Sequence, residues 1–348
     1  MEYGYYEQSG SPFRGRVLEE VKIFLQGVGL TYDEGIQYTT LVRNGEDEII
    51  AAASLQENVI KCVAVDDRCQ GEGLTGTLMT AIRREAMARK LRHLFLYTKP
   101  QNNMMFSGLG FYEITRTGSV LLMEDRRKGF ETWVESIRCD GARGTIGALV
   151  MNCNPMTLGH RYLIEQAAAQ CDFLYLFILS EDKSAVPAAD RRWIVETAVA
   201  DLKNITVVGT DRYLVSSATF PDYFLKDKSR SGQVWTELDV AVFCRLAKAL
   251  GISKRFVGTE PFCPVTNAYN AAMAEALPAA GVELVQVPRL EKDGTAISAT
   301  AVRKLVAKGR WQEMEPLVPR ATYDYFSKEE NRETVLQRQA DNGETERT

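Results

Sequence analysis

The stretch TIGALVMNCNPMTLGHRYLIEQAA, residues 145–168, decides the fold. Ile146–Met151 is an apolar run of strand length, the next residues are polar and turn-forming, and from His160 apolar residues return at helical spacing. A strand feeding a helix through such a turn opens a βαβ unit of a parallel sheet. Ligands of open α/β sheets sit beyond the carboxyl ends of the strands, and anions favour helix N-termini. The turn Asn152-Cys153-Asn154-Pro155-Met156-Thr157-Leu158-Gly159-His160 lies where both conditions meet. Gly159 has no Cβ, so backbone can approach a phosphate there, and His160 in the first helical turn can donate to a phosphate oxygen. Thr-x-Gly-His taken alone describes equally a tight strand-to-helix turn with a surface histidine.

Downstream, strands are expected at Phe173–Leu179, Ile205–Val208, Arg255–Val257 and Glu283–Val287. Helices are expected at His160–Gln170, Arg191–Leu202, Leu238–Leu250, Asn267–Leu277 and Ala299–Ala307. This alternation is that of a parallel sheet. Before the last helix stands Ile297-Ser298-Ala299-Thr300-Ala301-Val302-Arg303. Ser298 suits an N-cap, and two hydroxyls with an arginine at a helix start make a second phosphate-binding point, although Ile-Ser-x-Thr by itself is only a capped helix.

Together, Thr-x-Gly-His after the first strand and Ile-Ser-x-Thr-x-Val-Arg before a late helix resemble the nucleotidylyltransferase superfamily, with Thr157 where the commoner pattern has a first histidine. That resemblance implies ATP as the nucleotide, with Mg²⁺ accompanying it on ligands the sequence does not indicate. It makes His160, Thr157 and Lys183 the catalytic residues, and gives ATP contacts to Asn152, Asn154, Pro155, Gly159, Arg191, Gly258, Glu260, Ile297, Ser298, Thr300 and Arg303. Lys183 matches the family's substrate- or phosphate-binding lysine, and Arg191 falls where many relatives carry an arginine. As residues alone, both also read as ordinary solvated charges.

Upstream of Gly144 the pattern differs. Ile36–Arg43, Glu48–Leu55 and Val59–Val65 are β-branched and apolar, and Asn44-Gly45 and Glu57-Asn58 between them suit antiparallel hairpins. The polar loop Arg68-Cys69-Gln70-Gly71-Glu72-Gly73 follows, then a helical stretch Leu74–Arg89, a strand His93–Thr98, a short helix Asn102–Ser107 and a last strand near Ser119–Met123. Arg68 to Gly73 fits the R/Q-x-x-G-x-G/A loop and resembles that of GNAT acetyltransferases. The antiparallel strands before it argue against a dinucleotide fingerprint, which follows the first strand of a parallel sheet. The resemblance implies that Arg68, Cys69, Gln70, Gly71, Glu72 and Gly73 hold a CoA-like ligand by backbone amides at a helix N-terminus. FSGLGFY at 106–112 also resembles that fold. No general base stands out near it, and Tyr112 and Glu113 are named only as guesses.

The expected layout is therefore α/β: a GNAT-like α+β domain at 1–130, a Rossmann-like nucleotidylyltransferase domain at 140–327, and a polar tail at 328–348 expected to fray. A GNAT-like half before a Thr-x-Gly-His half is uncommon, and resembles the citrate lyase ligase family. Tyr213–Pro221, Gly258–Phe262 and Thr266–Asn270 fit that family too, over nearly the whole chain except the tail. What this implies is ATP-dependent acetylation of the phosphoribosyl-dephospho-CoA thiol on the acyl carrier subunit of the citrate lyase complex. Acetate would be activated as acetyl adenylate, with AMP and pyrophosphate released. The alternative is a pantetheine-phosphate-type adenylyltransferase fused to an N-acetyltransferase.

Composition bounds these expectations. The 348 residues, 45% hydrophobic and 25% charged, suit a two-domain globular protein. A net charge of -4, with 42 Lys+Arg against 46 Asp+Glu, argues against a protein that coats nucleic acid. No apolar run approaches the ~18 residues of a membrane span, and MEYGYYEQSG has no signal-peptide pattern, so the cytoplasm is expected. The seven cysteines are scattered, without a C-x-x-C, and the histidines are His93 and His160. Free, mostly buried thiols rather than a metal site are expected.

Overall fold

The computed structural model describes residues 4–33, 35–214, 231–259, 264–292 and 295–342. They form two compact units: one takes the described residues of 1–133 and 219–241, the other those of 134–218 and 242–348. Their two main sheets are of opposite kinds.

The first unit runs β1 (Tyr6–Gly10), α1 (Gly15–Gly27), β2 (Tyr38–Arg43), β3 (Ile49–Gln56), β4 (Val59–Val65), α2 (Leu74–Ala88), β5 (Phe95–Thr98), α3 (Asn103–Gly108), β6 (Tyr112–Arg116) and β7 (Leu121–Glu124). Its sheet has the order β1-β2-β3-β4-β5-β7-β6. All pairings are antiparallel except β4 with β5, which pair for only two residues, Val59↔Phe95 and Ile60↔Leu96. Beyond Ile60 these two strands part, which opens a cleft between them. The core is aliphatic, with Leu78, Ile82 and Met79 of α2 packed on the sheet. This is the GNAT-like α+β architecture that the loop resemblance implies, with its antiparallel strands where the hairpin signals place them. β1, α1 and β6 are additions to those expectations, although Val17, Val21, Phe24 and Leu25 space one face of α1 at helical intervals.

After α4 (Gly129–Ile137), the chain runs β8 (Ile146–Met151), α5 (Leu158–Ala168), β9 (Phe173–Ile178), α6 (Ala188–Ala198), β10 (Ile205–Gly209), α7 (Ser231–Leu250, counted with the first unit up to Ala241), β11 (Lys254–Gly258), α8 (Pro264–Ala276) and β12 (Glu283–Val287). A short hairpin follows, β13 (Glu291–Lys292) with β14 (Thr295–Ala296), and then α9 (Ala299–Ala307), α10 (Arg320–Ser327) and α11 (Glu329–Asp341). The sheet order β10-β9-β8-β11-β12 is parallel throughout. The chain builds outward from β8 to β10 and then crosses to β11. The switch point therefore lies between β8 and β11, where such sheets bind ligands. Phe173–Ile178 is buried at every residue, as a central parallel strand must be when helices cover both faces.

Two expectations need correction. The chain does not fray at Lys328: α11 is helical to Asp341, with Val335 and Gln339 buried and Leu336 packed on the core. Its apolar stripe is too thin to be seen in a run of charges. Among the six described cysteines, all free, only Cys62 and Cys153 are buried. Of the described residues, no helix is long and apolar enough to cross a membrane, and no group of three metal-ligating side chains occurs.

Candidate active site

The loop after β8 ends in Thr157, the N-cap of α5. Its hydroxyl accepts the His160 backbone N–H at 3.3 Å, while Nδ1 of His160 accepts the Thr157 backbone N–H at 3.0 Å. The Thr157 hydroxyl also lies 3.0 Å from Nδ1. Because Nδ1 is an acceptor, a neutral ring carries its proton on Nε2. Burial, and then the cation of Arg289, push the His160 pKa down to about 4, so the ring is neutral at physiological pH. The reciprocal capping thus fixes tautomer and orientation together. Thr157 is 1% exposed and spends its hydroxyl on this cap, which makes it the residue that orients His160.

Gly159 has a structural reason beyond phosphate approach. A Cβ there would stand 3.1 Å from the Ile297 carbonyl, so the missing side chain lets the start of α5 meet the strand end before α9. Ser298 caps α9 by accepting the Ala301 N–H at 3.2 Å, and Arg303 reaches back to donate to the Asn154 carbonyl at 2.7 Å. The side chain of Asn154 accepts the Val186 N–H at 2.9 Å. Asn154 therefore ties the loops after β8 and β9 to α9.

The loop after β9 carries Lys183, exposed, with its ammonium unpaired among the described residues. Asn152 and Ser184 exchange hydrogen bonds at 3.0 and 3.2 Å across the two loops. Arg191 does not face the cleft, which corrects its expected ATP contact. It is 0% exposed and donates to the carbonyls of Asn152 (2.8 Å), Val186 (3.1 Å) and Glu181, and to the Asn152 side chain. Pinned by four acceptors, it positions both loops. Pro155 is buried and likewise absent from the lining. Glu260 lies outside the described residues, as do most of 213–221 and 258–262.

What these elements enclose is a cleft of about 810 Å³ at the switch point. Asn152, Asn154, Thr157, Gly159, His160, Lys183, Gly258, Ile297, Ser298, Thr300 and Arg303 all line it. Arg255 and Arg289 join them, and the sequence expectation omits both. With Lys183 and Arg303 they give four cations against one described carboxylate, Glu181, a balance suited to a polyanion. Arg289 follows β12 at its carboxyl end and donates to the Thr259 carbonyl at 2.9 Å. Its position after a fifth strand is the one signal that could have marked it. Arg255 is buried, with its guanidinium 4.4 Å over the Phe243 ring.

The first unit has a cleft of its own, about 500 Å³, where β4 and β5 part. Cys69, Gln70, Gly71 and Gly73 line it, with Val63, Ala64 and Val65 of β4 and Tyr97 and Thr98 of β5. Gly71 and Gly73 take φ of +89° and +76°, which side chains rarely adopt. No side chain caps α2: the Gly76 and Thr77 N–H groups turn back on the Gly73 carbonyl at 2.9 and 3.3 Å, which leaves the amides of Leu74 and Thr75 at the helix start for a ligand. Arg68 and Glu72 turn away from the lining: Arg68 forks onto Asp66 at 3.0 and 2.8 Å, and Glu72 accepts from Tyr5. Tyr112 and Glu113 are not in the lining either, and Glu113 is paired with Arg116.

The sequence matches the family described as citrate lyase ligase C-terminal domain over residues 146–326. It is 40% identical over 323 residues to the [citrate [pro-3S]-lyase] ligase of Haemophilus influenzae, covering 89% of this chain and 95% of the relative. The chain belongs to the citrate lyase ligase family. Among solved structures, an acyl-CoA N-acyltransferase from Pseudomonas aeruginosa shares 14% identity and a TM-score of 0.32, over 35% of this chain and 100% of its own. Thermotoga maritima TmcAL bound with alpha-thio ATP shares 12% identity and a TM-score of 0.38, covering 57% of each chain. The family match spans β8 through α10 and so contains every element that lines the larger cleft. The residues that line the larger cleft therefore lie within the matched family domain, and residues 1–133 of the first unit lie outside that match.

Proposed function

We propose that this chain, an acid–thiol ligase by family, activates acetate with ATP in the cleft of the second unit and passes the acetyl group to a thiol of the citrate lyase complex. The observation that carries this is the ring of His160, held neutral with Nε2–H free of its own loop, in a cleft lined by four cations. A carboxylate oxygen of acetate attacks the α-phosphorus of ATP, the bond to the β-phosphate oxygen breaks, and pyrophosphate leaves with the electron pair. His160 Nε2–H and the cations of Lys183, Arg289 and Arg303 meet the charge that grows on the phosphate oxygens. The product is acetyl adenylate. Attack of a thiolate on its acetyl carbon forms the thioester and expels AMP, while the thiol proton goes to solvent.

Mg²⁺ fits this site as a companion of the triphosphate. The lining holds one described carboxylate, Glu181, which would stand beside the ion, and the ion would neutralise phosphate charge. The thiol belongs to the phosphoribosyl-dephospho-CoA group of the acyl carrier subunit. That group is a CoA relative, and the uncapped α2 with its glycine loop supports the first unit as its holder, pyrophosphate on backbone amides. The protein would then work in the cytoplasm beside its target. Acetate-dependent exchange of labelled pyrophosphate into ATP tests this, followed by acetylation of deacetylated citrate lyase. Exchange driven by 4′-phosphopantetheine and not by acetate would replace the carboxylate acceptor with a phosphate.

A further inference from the structure

Three consecutive backbone carbonyls around Lys183 are held from one place, the end of α11. Arg338 donates to the carbonyls of Asp182 and Ser184, the latter at 3.0 Å, and Asn342 donates to the carbonyl of Lys183 itself at 2.8 Å. Arg338 also bonds the Asp182 carboxylate at 2.8 Å, and that carboxylate in turn accepts the Ala188 N–H at the start of α6. The matched family domain stops at residue 326, before α11 begins.

We infer that α11 is a strap that positions the Lys183 loop for the triphosphate, with Arg338 as the positioning residue. An exposed loop carrying one unpaired lysine has many conformations, and holding a charge at a phosphate requires that this freedom be removed in advance. The β8 side supplies part of that order through Asn152 and Ser184. Among the described residues, nothing on that side takes the three carbonyls, which only the end of α11 reaches. The Arg338–Asp182 ion pair alone is half-exposed and weak. The effect comes from a rigid fork on adjacent acceptors, which lysine does not reproduce. α11 is in turn anchored in the core by Val335 and Leu336, so the strap has a fixed end.

This inference rests on the cleft being the ATP site, and the test separates the two. Acetate-dependent exchange is measured on the full chain as wild type, Arg338→Ala, Lys183→Ala and the double variant. Arg338→Ala is expected to raise the KM for ATP about tenfold, with kcat and the thermal midpoint changing far less. The double variant should be no worse than Lys183→Ala, because placement of the loop is irrelevant once the ammonium is gone. An unchanged KM, or losses that multiply, overturns the strap. Arg338→Lys, which keeps the charge and loses the fork, gives the same comparison should Arg338→Ala not fold. If wild type shows no exchange with acetate, the activation chemistry is wrong. Calorimetric titration of the same proteins with ATP then decides the strap, and equal affinities in wild type and Arg338→Ala overturn it.

Discussion

The two helix starts that face clefts solve the same electrostatic problem in opposite ways. At α5 the cap is filled from within by Thr157 and His160, so the imidazole is left to face the cleft. At α2 no side chain caps the helix, Gly71 and Gly73 bend the loop, and the charged neighbours Arg68 and Glu72 are spent on other partners. The larger cleft has four cations in its lining, and the smaller has one, Lys99, with one described carboxylate, Asp67. A site that must stabilise charge changing during a reaction gains from aimed side chains in fixed positions. A site that only holds a phosphate needs amides and room. On this difference rests the proposed division of labour, with chemistry in the second unit and holding in the first.

The largest effect should follow from breaking the chemical side. His160→Ala is expected to lower acetate-dependent exchange by about 10²–10³-fold, the range for loss of one aimed donor. Chemical denaturation should show the fold retained. A variant with near-wild-type exchange would remove His160 from the mechanism. Next comes Arg191→Ala, which strips donors from two buried carbonyls and a half-buried one and should cost about 3 kcal/mol in urea unfolding. Arg191→Lys should recover little, since an ammonium cannot reproduce the fork. A fully stable Arg191→Ala with a raised KM for ATP would instead restore it as a nucleotide contact.

On the holding side, Gly71→Glu places an anion and a side chain at φ +89° in the amide cradle. Thiol acetylation of citrate lyase should fall by at least about tenfold while ATP–pyrophosphate exchange persists, since like charge at a phosphate site costs on the order of 1–3 kcal/mol. Loss of both activities in a folded variant would end the division of labour between the units.

How far these sites were legible in the sequence follows the same contrast. Spacing revealed whatever repeats in register with secondary structure. The strands of the parallel sheet are apolar runs, Ser298 caps α9, and Arg303 sits one turn inside it, so the residues that line the cleft could be named by position. The direction of a lone side chain is not encoded in spacing. Arg191 and Arg289 are both arginines near a loop, yet one is fully buried on carbonyls and the other lines the cleft. Burial is a tertiary property, set by what packs over the residue, and the chain around Arg191 is not unusual. α11 escaped notice for the same reason: Val335 and Leu336 are two apolar residues in a charged run, and only the surface beneath them makes them a core contact.

The smallest effect, and the finest test of the capped helix, is the pH dependence of stability. His160 titrates near 4 in the folded chain and near the ordinary 6.5 when unfolded. As pH falls through 6.5 the unfolded state binds the proton first, so stability declines between about 6.5 and 4 and levels off below, where both states are charged. Above 6.5 the residue contributes no slope. His160→Gln should remove this component from the stability profile while every carboxylate contribution remains. Binding of a triphosphate opposes burial by placing negative charge near the ring, so ATP should raise the His160 pKa and be taken up with a fraction of a proton near pH 5. Calorimetric titrations in buffers of different ionisation enthalpy would read that uptake. Its absence in wild type, with ATP bound, would place the phosphates away from His160 and return the ring to a purely capping role.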